Sequence, residues 1–533
     1  MKRRSFLKRT VPVSVLPMLL GGFTLKAYGR GPVLESLVGA ATETDRVLVL
    51  IQLNGGNDGL NTVIPLDQYS PLMAARGNIA IPEGLVAKLT DKTGLHPSLA
   101  GLQGIYKTGK LSVVQSVGYP NPNFSHFRAT DIWLTASDSN VSLTSGWMGR
   151  YLDEEFADYP NGYPNAVAPD PLAIQIGSVV SVGLQGPEVS MGMALTSPTS
   201  FYQLVSGAVD EAPNTPAGHE LTFIRQVAQQ TEQYASVITA AAGKAVNLSA
   251  LYPAAGQNSL ADQLKIVAQL IAGGLKTRIY ITNLGGFDTH SLQVSQTTGT
   301  ETGNHANLLK KLNDAIVAFQ DDLRLLGADW RVVGMTFSEF GRRIKSNASF
   351  GTDHGTAAPV FVFGRQVRGG IVGANPVLPA AATVSDNIPM ANDFRSVYAT
   401  LLREWFGVPQ SELEAVLLSN YQSLPLIYKR RRDSKLTIVY RAGADLPAIP
   451  GLLQNYPNPF NPTTVIPFVT SGEGVEVKVY DTLGREIRTL AEGVLPPGYH
   501  EVTFDAEDLP AGVYYCRFQS GAVQDVKPLL LVK

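Results

Sequence analysis

The chain carries one cysteine among its 533 residues. That excludes a disulfide within the chain and any zinc cluster built on thiolates, so a metal site would need histidine and carboxylate ligands. Histidines are also scarce, seven in all, so each one inside a motif is a candidate. Neither sign of charge is in excess: 43 Lys and Arg stand against 45 Asp and Glu. Nothing in that balance draws the chain to nucleic acid or anionic lipid, and no nucleic-acid partner is expected. Long uninterrupted apolar runs are missing too. The N-terminal MKRRSFLKRTVPVSVLPMLLGGFTLKAYG joins basic residues to a short apolar segment broken by Pro17 and a glycine pair. It is too short to span a membrane stably, so it reads as an export leader and not as a transmembrane anchor.

What is present is an ordinary globular composition, 44% hydrophobic and 17% charged, on a chain long enough for more than one domain. Val47 to Leu53 form an apolar strand-like run that ends in a glycine turn. Similar runs recur at LSVVQSVG, LAIQIG, TRIYITNLGG, RVVGMTFSEFG and APVFVFG. Between them, residues 306–326 place Leu309, Leu312, Ile316, Phe319, Leu323 and Leu326 at helical spacing. Buried strands alternating with amphipathic helices predict an α/β domain over 33–428 with a mostly parallel sheet. Residues 429–450, with the basic run KRRR, read as a linker. From 451 to 533 apolar and polar residues alternate between Gly and Pro turns, predicting a small antiparallel β-sandwich. Cys516, in GVYYCRF, fits a buried structural thiol there.

Four loops that follow strand-like runs carry the chemistry. Ligand sites in open α/β sheets gather outside the carboxyl ends of the strands, so distant loops can converge there. The loops are LNGGNDGLN with Asp58, NPNFSHFRATDIW with Ser125 and His126, NLGGFDTHSLQ with Asp288 and His290, and TFSEFGRRIKSNASFGTDHG with Glu339, Asp353 and His354. Singly, each has a bland reading: a turn aspartate, a helix-capping serine, a satisfied histidine. Together they form an N/O ligand set for one or two hard or borderline divalent ions, Zn, Mn, Mg or Ca, with a structural polar network as the alternative. His96 and His305 lie near these motifs without joining them, and His500 reads as a surface residue.

Three resemblances add to this reading. RRSFLK, Arg3 to Lys8, resembles the twin-arginine export motif, which implies a leader over 1–30 and a protein that leaves the cytoplasm folded with its cofactor loaded. A general secretion leader is the alternative. LLQNYPNPFNPTTVIPF, VKVYDTLGREIRTL, LPAGVYYCRF and KPLLLVK resemble the C-terminal sorting domain of type IX secretion cargo. That implies the type IX machinery as a partner and release or attachment at the cell surface; a carbohydrate-binding or spacer sandwich is the alternative.

LIQLNGGNDGLNT, SHFRATDIW, GWMGRYLD, LGGFDTH, TFSEFGRR, GTDHG, VRGG and DFRSVYATLLREWFG resemble the secreted bacterial family called domain of unknown function 1501. That family is grouped with the alkaline phosphatase and sulfatase superfamily of metal-assisted phosphoryl and sulfuryl transfer enzymes. The resemblance implies Asp288, His290 and His354 at one metal and Asp58 with Glu339 at a second, while Asp353 is a candidate ligand from its placement beside His354. It implies Ser125, next to His126, as the nucleophile at a helix start. Phe340 departs from the pattern where a ligand His commonly follows the acid, and the Cys-x-Pro-Ser-Arg sequence of formylglycine sulfatases is absent. Arg342 or Arg128 would clamp an oxyanion or serve structure alone. The expectation is an exported metal-dependent hydrolase of small or polymeric phosphate or sulfate esters, against the alternative of a non-catalytic surface protein on the same fold.

Overall fold

The computed structural model describes residues 45–166, 168–197, 234–428, 450–495, 497–506, 509–521 and 523–532, with strand segments 19–20, 23–24 and 439–441. The leader at Arg3–Lys8 lies outside the described residues. The chain divides into two compact units, 1–428 and 429–533.

The first unit is built on a nine-stranded sheet. Its strands are β1 (Val47–Asn54), β2 (Leu111–Gly118), β3 (Ala173–Ile176), β4 (Met193–Leu195), β5 (Ile279–Gly285), β6 (Val332–Phe337), β7 (Ala358–Phe363), β8 (Gly370–Val372) and β9 (Asn392–Asp393). They run in the order β8-β2-β7-β6-β1-β5-β3-β4, with β9 paired to β2. Every pairing is parallel except those of β7, which runs against both β2 and β6. β1 lies at the centre, in parallel register with β5 (Asn54 opposite Gly285) and β6 (Gln52 opposite Phe337). Those registers bring the loops after β1, β5 and β6 to one edge, and antiparallel β7 starts from the same edge.

Alternation along β1 shows why the sheet is buried on both faces. Leu48 and Leu50 enter one apolar layer with Trp147, Phe394 and Tyr398. Val47, Val49, Ile51 and Leu53 enter the other, with Leu264, Leu312 and Phe319. Helix α1 (Tyr69–Arg76) packs in a separate cluster with Ile64 and Ile344, while α2 (His126–Thr135), α3 (Trp147–Glu155), α4 (Ser259–Ala272), α5 (Asn304–Leu325) and α6 (Phe394–Thr400) cover these layers. α5 buries Leu309, Leu312, Ile316, Phe319 and Leu323, the spaced positions that predict it. Trp147 is fully buried and stacks on Tyr398 at 4.3 Å between ring centroids.

The second unit holds two four-stranded antiparallel sheets. Phe468 and Phe504 of one sheet and Val477, Cys516 and Phe518 of the other share one apolar core. Burial pushes the Cys516 thiol up to about 12, so it is an inert packing group. His500 corrects a surface assignment: it is buried and stacks on Phe468 at 5.4 Å. The alternating pattern placed it on the inner face, and its ring is accommodated there by an aromatic neighbour. Among the described residues, no helix is long and apolar enough to cross a membrane.

Candidate metal centre

Two glycines set the geometry at the end of β1. Gly55 has φ +120°, and a Cβ there would stand 2.3 Å from the Asp288 amide; Gly56 has φ +75°, and a Cβ would stand 2.4 Å from the Phe340 ring. Only glycine permits both the backbone conformation and the close approach. The β1 loop is thereby pressed against the loops after β5 and β6, and the Gly55 amide donates to Glu339 Oε1 at 2.8 Å.

Asp288, His290 and His354 come together as the motifs predict, and His126 joins them. The ligand atoms of His126, Asp288 and His354 all lie within 4.8 Å of one another. His126 Nε2 is 3.5 Å from Asp288 Oδ2, His354 Nε2 is 3.3 Å from Asp288 Oδ1, and His290 Nε2 is 3.2 Å from Asp288 Oδ1. His290 Nε2 and His354 Nε2 are 2.9 Å apart.

The other nitrogen of each ring is held by an acceptor. His126 Nδ1 lies 2.7 Å from Glu339 Oε1, His290 Nδ1 3.2 Å from Asp353 Oδ1, and His354 Nδ1 donates to the Phe124 carbonyl at 2.8 Å. A carbonyl or carboxylate only accepts, so these contacts put the proton on Nδ1 and aim the Nε2 lone pairs inward. His126 Nε2 is buried and makes no hydrogen bond among the described residues. That orphaned nitrogen, facing a carboxylate oxygen, fits a site for a cation.

Phe340 is 2% exposed and lies under the rings of His126 and His354, with centroids at 4.8 and 4.5 Å. Instead of supplying a polar atom, it braces the two imidazoles. Glu339 and Asp353 sit where they orient His126 and His290.

Asp58 stands apart from this cluster. Its carboxylate is fully buried, receives Arg76 Nη1 at 2.7 and 2.8 Å and Gln293 Nε2 at 2.6 Å, and caps the Leu60 amide at 3.2 Å. Burial raises its pKa, but the Arg76 charge and hydrogen bond, with His305 and Gln293, outweigh this and hold it below the usual aspartate value. The sequence suggests a metal role for Asp58; in the structure a guanidinium already pairs with its carboxylate. The one hint in the sequence is the single basic residue closing YSPLMAAR.

The arginines are structural. Arg342 is fully buried and donates to the carbonyls of Gly56 at 2.6 Å, Thr352 at 2.8 Å and Gly55, and to Asp288 Oδ1 at 2.7 Å. It ties the β1, β5 and β6 loops together, leaving no fork for an oxyanion. Arg128 donates to the carbonyls of Asp138 and Val141. At Asp288 burial again acts upward, while Arg342, His290 and His354 together hold the carboxylate ionised below its ordinary range. Burial lowers the His354 pKa; its bond to Phe124 opposes this and the nearby Arg342 adds to it.

Ser125 is exposed and occupies the N-cap of α2 without a side-chain capping bond. Its amide donates to Asn123 Oδ1 at 2.8 Å. Beneath the β1 loop, His305 Nε2 lies 2.9 Å from Asn57 Oδ1, and His96 and His305 form a fully buried edge-on pair at 6.2 Å. Burial pushes His96 down to about 3 and His305 to about 4.

Residues 212–417 match the profile of DUF1501, a protein family of unknown function. The DUF1501 segment includes the loops after β5 and β6 but not α2 or the β1 loop. Residues 454–532 match the secretion system C-terminal sorting domain, and that domain marks the chain for export to the cell surface or extracellular space. No curated protein matches the chain. Among solved structures, PorZ, a surface component of the type IX secretion system of Porphyromonas gingivalis, is similar at 23% identity over 16% of this chain and 12% of its own, with a TM-score of 0.13. The PsFucS1 sulfatase from Pseudoalteromonas sp. is similar at 12% identity, covering 88% of this chain and 85% of its own, with a TM-score of 0.31. A protein from work on glycosaminoglycan metabolism in Bacteroides thetaiotaomicron is similar at 11% identity, covering 87% and 90%, with a TM-score of 0.31.

Proposed function

We propose that the first unit is an exported metal-dependent hydrolase of phosphate or sulfate esters. The observation that carries this reading is the convergence of His126, Asp288 and His354 at the carboxyl edge of the sheet, with the His126 Nε2 atom buried and unbonded. His126 Nε2, His354 Nε2 and Asp288 would hold a divalent ion. Such an ion supplies charge stabilisation for the transferred group and lowers the pKa of a hydroxyl or water at the site. The chain's own residues do the rest. Glu339 and the Phe124 carbonyl fix two imidazoles in the Nδ1–H form, and Phe340 holds their planes. Ser125 offers an exposed hydroxyl at the first turn of α2, where the helix N-terminus favours developing negative charge.

The test combines metal analysis of the purified protein with turnover of aryl phosphate and aryl sulfate esters. Bound metal and hydrolysis of one ester class are expected, with hydrolysis lost in Asp288→Ala and Ser125→Ala. A protein free of metal and inert to every ester would refute the reading.

A further inference from the structure

We infer that this centre takes a single ion of the zinc type, held by the Nε2 atoms of His126, His290 and His354 with Asp288, and that the second ion implied by the family resemblance is replaced by the Arg76 guanidinium. The inference rests on the metal reading above and adds the number of ions, the fourth ligand and the metal class.

His290 lies within reach of the same centre. Its Nδ1 faces the Asp353 carboxylate and the Nδ1 of His354 faces a carbonyl, so neither Nε2 carries a proton when the rings are neutral. Yet these two Nε2 atoms are 2.9 Å apart. Two lone pairs facing each other at that distance repel, and a shared cation turns the repulsion into coordination. The spacing also fits. Ligands at about 2.1 Å from a tetrahedral zinc lie roughly 3.4 Å from one another. Asp288 Oδ1, His290 Nε2 and His354 Nε2, at 3.3, 3.2 and 2.9 Å from one another, lie close to that edge length, and His126 Nε2 lies 3.5 Å from the other oxygen of the same carboxylate, Oδ2.

The carboxylates a second ion would need already have partners. Asp58 is already paired with Arg76, whose Nε also donates to the Ile344 carbonyl at 2.7 Å, so the guanidinium is fixed from two sides. Glu339 Oε1 is engaged by the His126 ring and the Gly55 amide. Removing either bond to make room for an ion would leave a buried arginine, imidazole or amide unsatisfied. Three imidazole nitrogens and one carboxylate favour a borderline first-row dication over calcium or magnesium, which prefer oxygen.

The experiment is titration of the metal-stripped full chain with zinc and, separately, calcium, followed by calorimetry and by thermal denaturation. Saturation at one zinc per chain, with a raised Tm and no comparable effect of calcium, is expected. Asp353→Asn, on an exposed side chain, should weaken zinc binding about 10- to 100-fold without unfolding the protein. His290→Gln should weaken it further. Two zinc ions per chain, or calcium acting as strongly as zinc, would overturn this inference while leaving the hydrolase reading standing. Undiminished affinity in His290→Gln would overturn the fourth ligand. No uptake of either ion would overturn both readings.

Discussion

At the scale of the residue, the decisive positions are those whose partners lie far off in sequence. Phe340 follows an acid where a ligand histidine is expected, and its buried ring fills the space beneath His126 and His354. Phe340→Ala should cost about 3–5 kcal/mol by leaving a cavity, measurable by urea unfolding, and should weaken metal binding because two imidazoles lose their support. Gly56→Ala meets the same ring from the other side. At φ +75° it carries a backbone strain of about 1–3 kcal/mol before the 2.4 Å overlap is counted. Asp58→Ala leaves the Arg76 guanidinium buried and unpaired, an expected loss of about 3–5 kcal/mol. A variant with wild-type unfolding free energy would contradict the ion pair.

At the scale of the element, strands and helices were legible because their apolar periods are local. The run from Val47 to Leu53 is β1, and residues 306–326 differ from α5 only at its ends. The strand direction of β7 was not legible, since nothing in APVFVFG distinguishes a parallel neighbour from an antiparallel one. Asp288, His290 and His354 were readable as candidates for one cluster because glycine-rich loops after strands leave polar side chains at the sheet edge. His126 was readable only as a neighbour of Ser125. Its ring direction depends on Glu339, 213 residues away, and no local pattern encodes that contact. The same holds for Asp58 and Arg76, which meet because α1 folds back over the β1 loop.

The buried pair of His96 and His305 (the latter in the first turn of α5) belongs to this scale too. Both have folded-state pKa values, about 3 and about 4, below the ordinary value of 6.5. The unfolded chain therefore binds more protons between pH 6.5 and 4, and stability falls as pH falls through that window. Their stabilising contribution as neutral rings is fully present above pH 6.5. Each can cost up to about 1.4 kcal/mol per pH unit on acidification. The Tm should drop across this range before Asp58 titrates, and His305→Gln should flatten the drop; an unchanged pH profile would contradict the assignment.

At the scale of the whole molecule, the two units have separate apolar cores, one on both faces of the nine-stranded sheet and one between the two C-terminal sheets. A chain ending at Tyr428 should therefore keep the melting transition and metal uptake of the first unit while losing delivery to the cell surface. Differential scanning calorimetry and cell fractionation check the two halves of that expectation. Loss of the first unit's transition would show that it depends on the sorting domain.

The bond from His354 Nδ1 to the Phe124 carbonyl joins positions 230 residues apart. During synthesis the cluster of His126, Asp288 and His354 cannot form until His354 has left the ribosome and β7 has been inserted between β2 and β6. Long-range closure of this kind comes late in folding. On the proposed metal reading, uptake of an ion would therefore report a finished first unit, with its sheet threaded correctly.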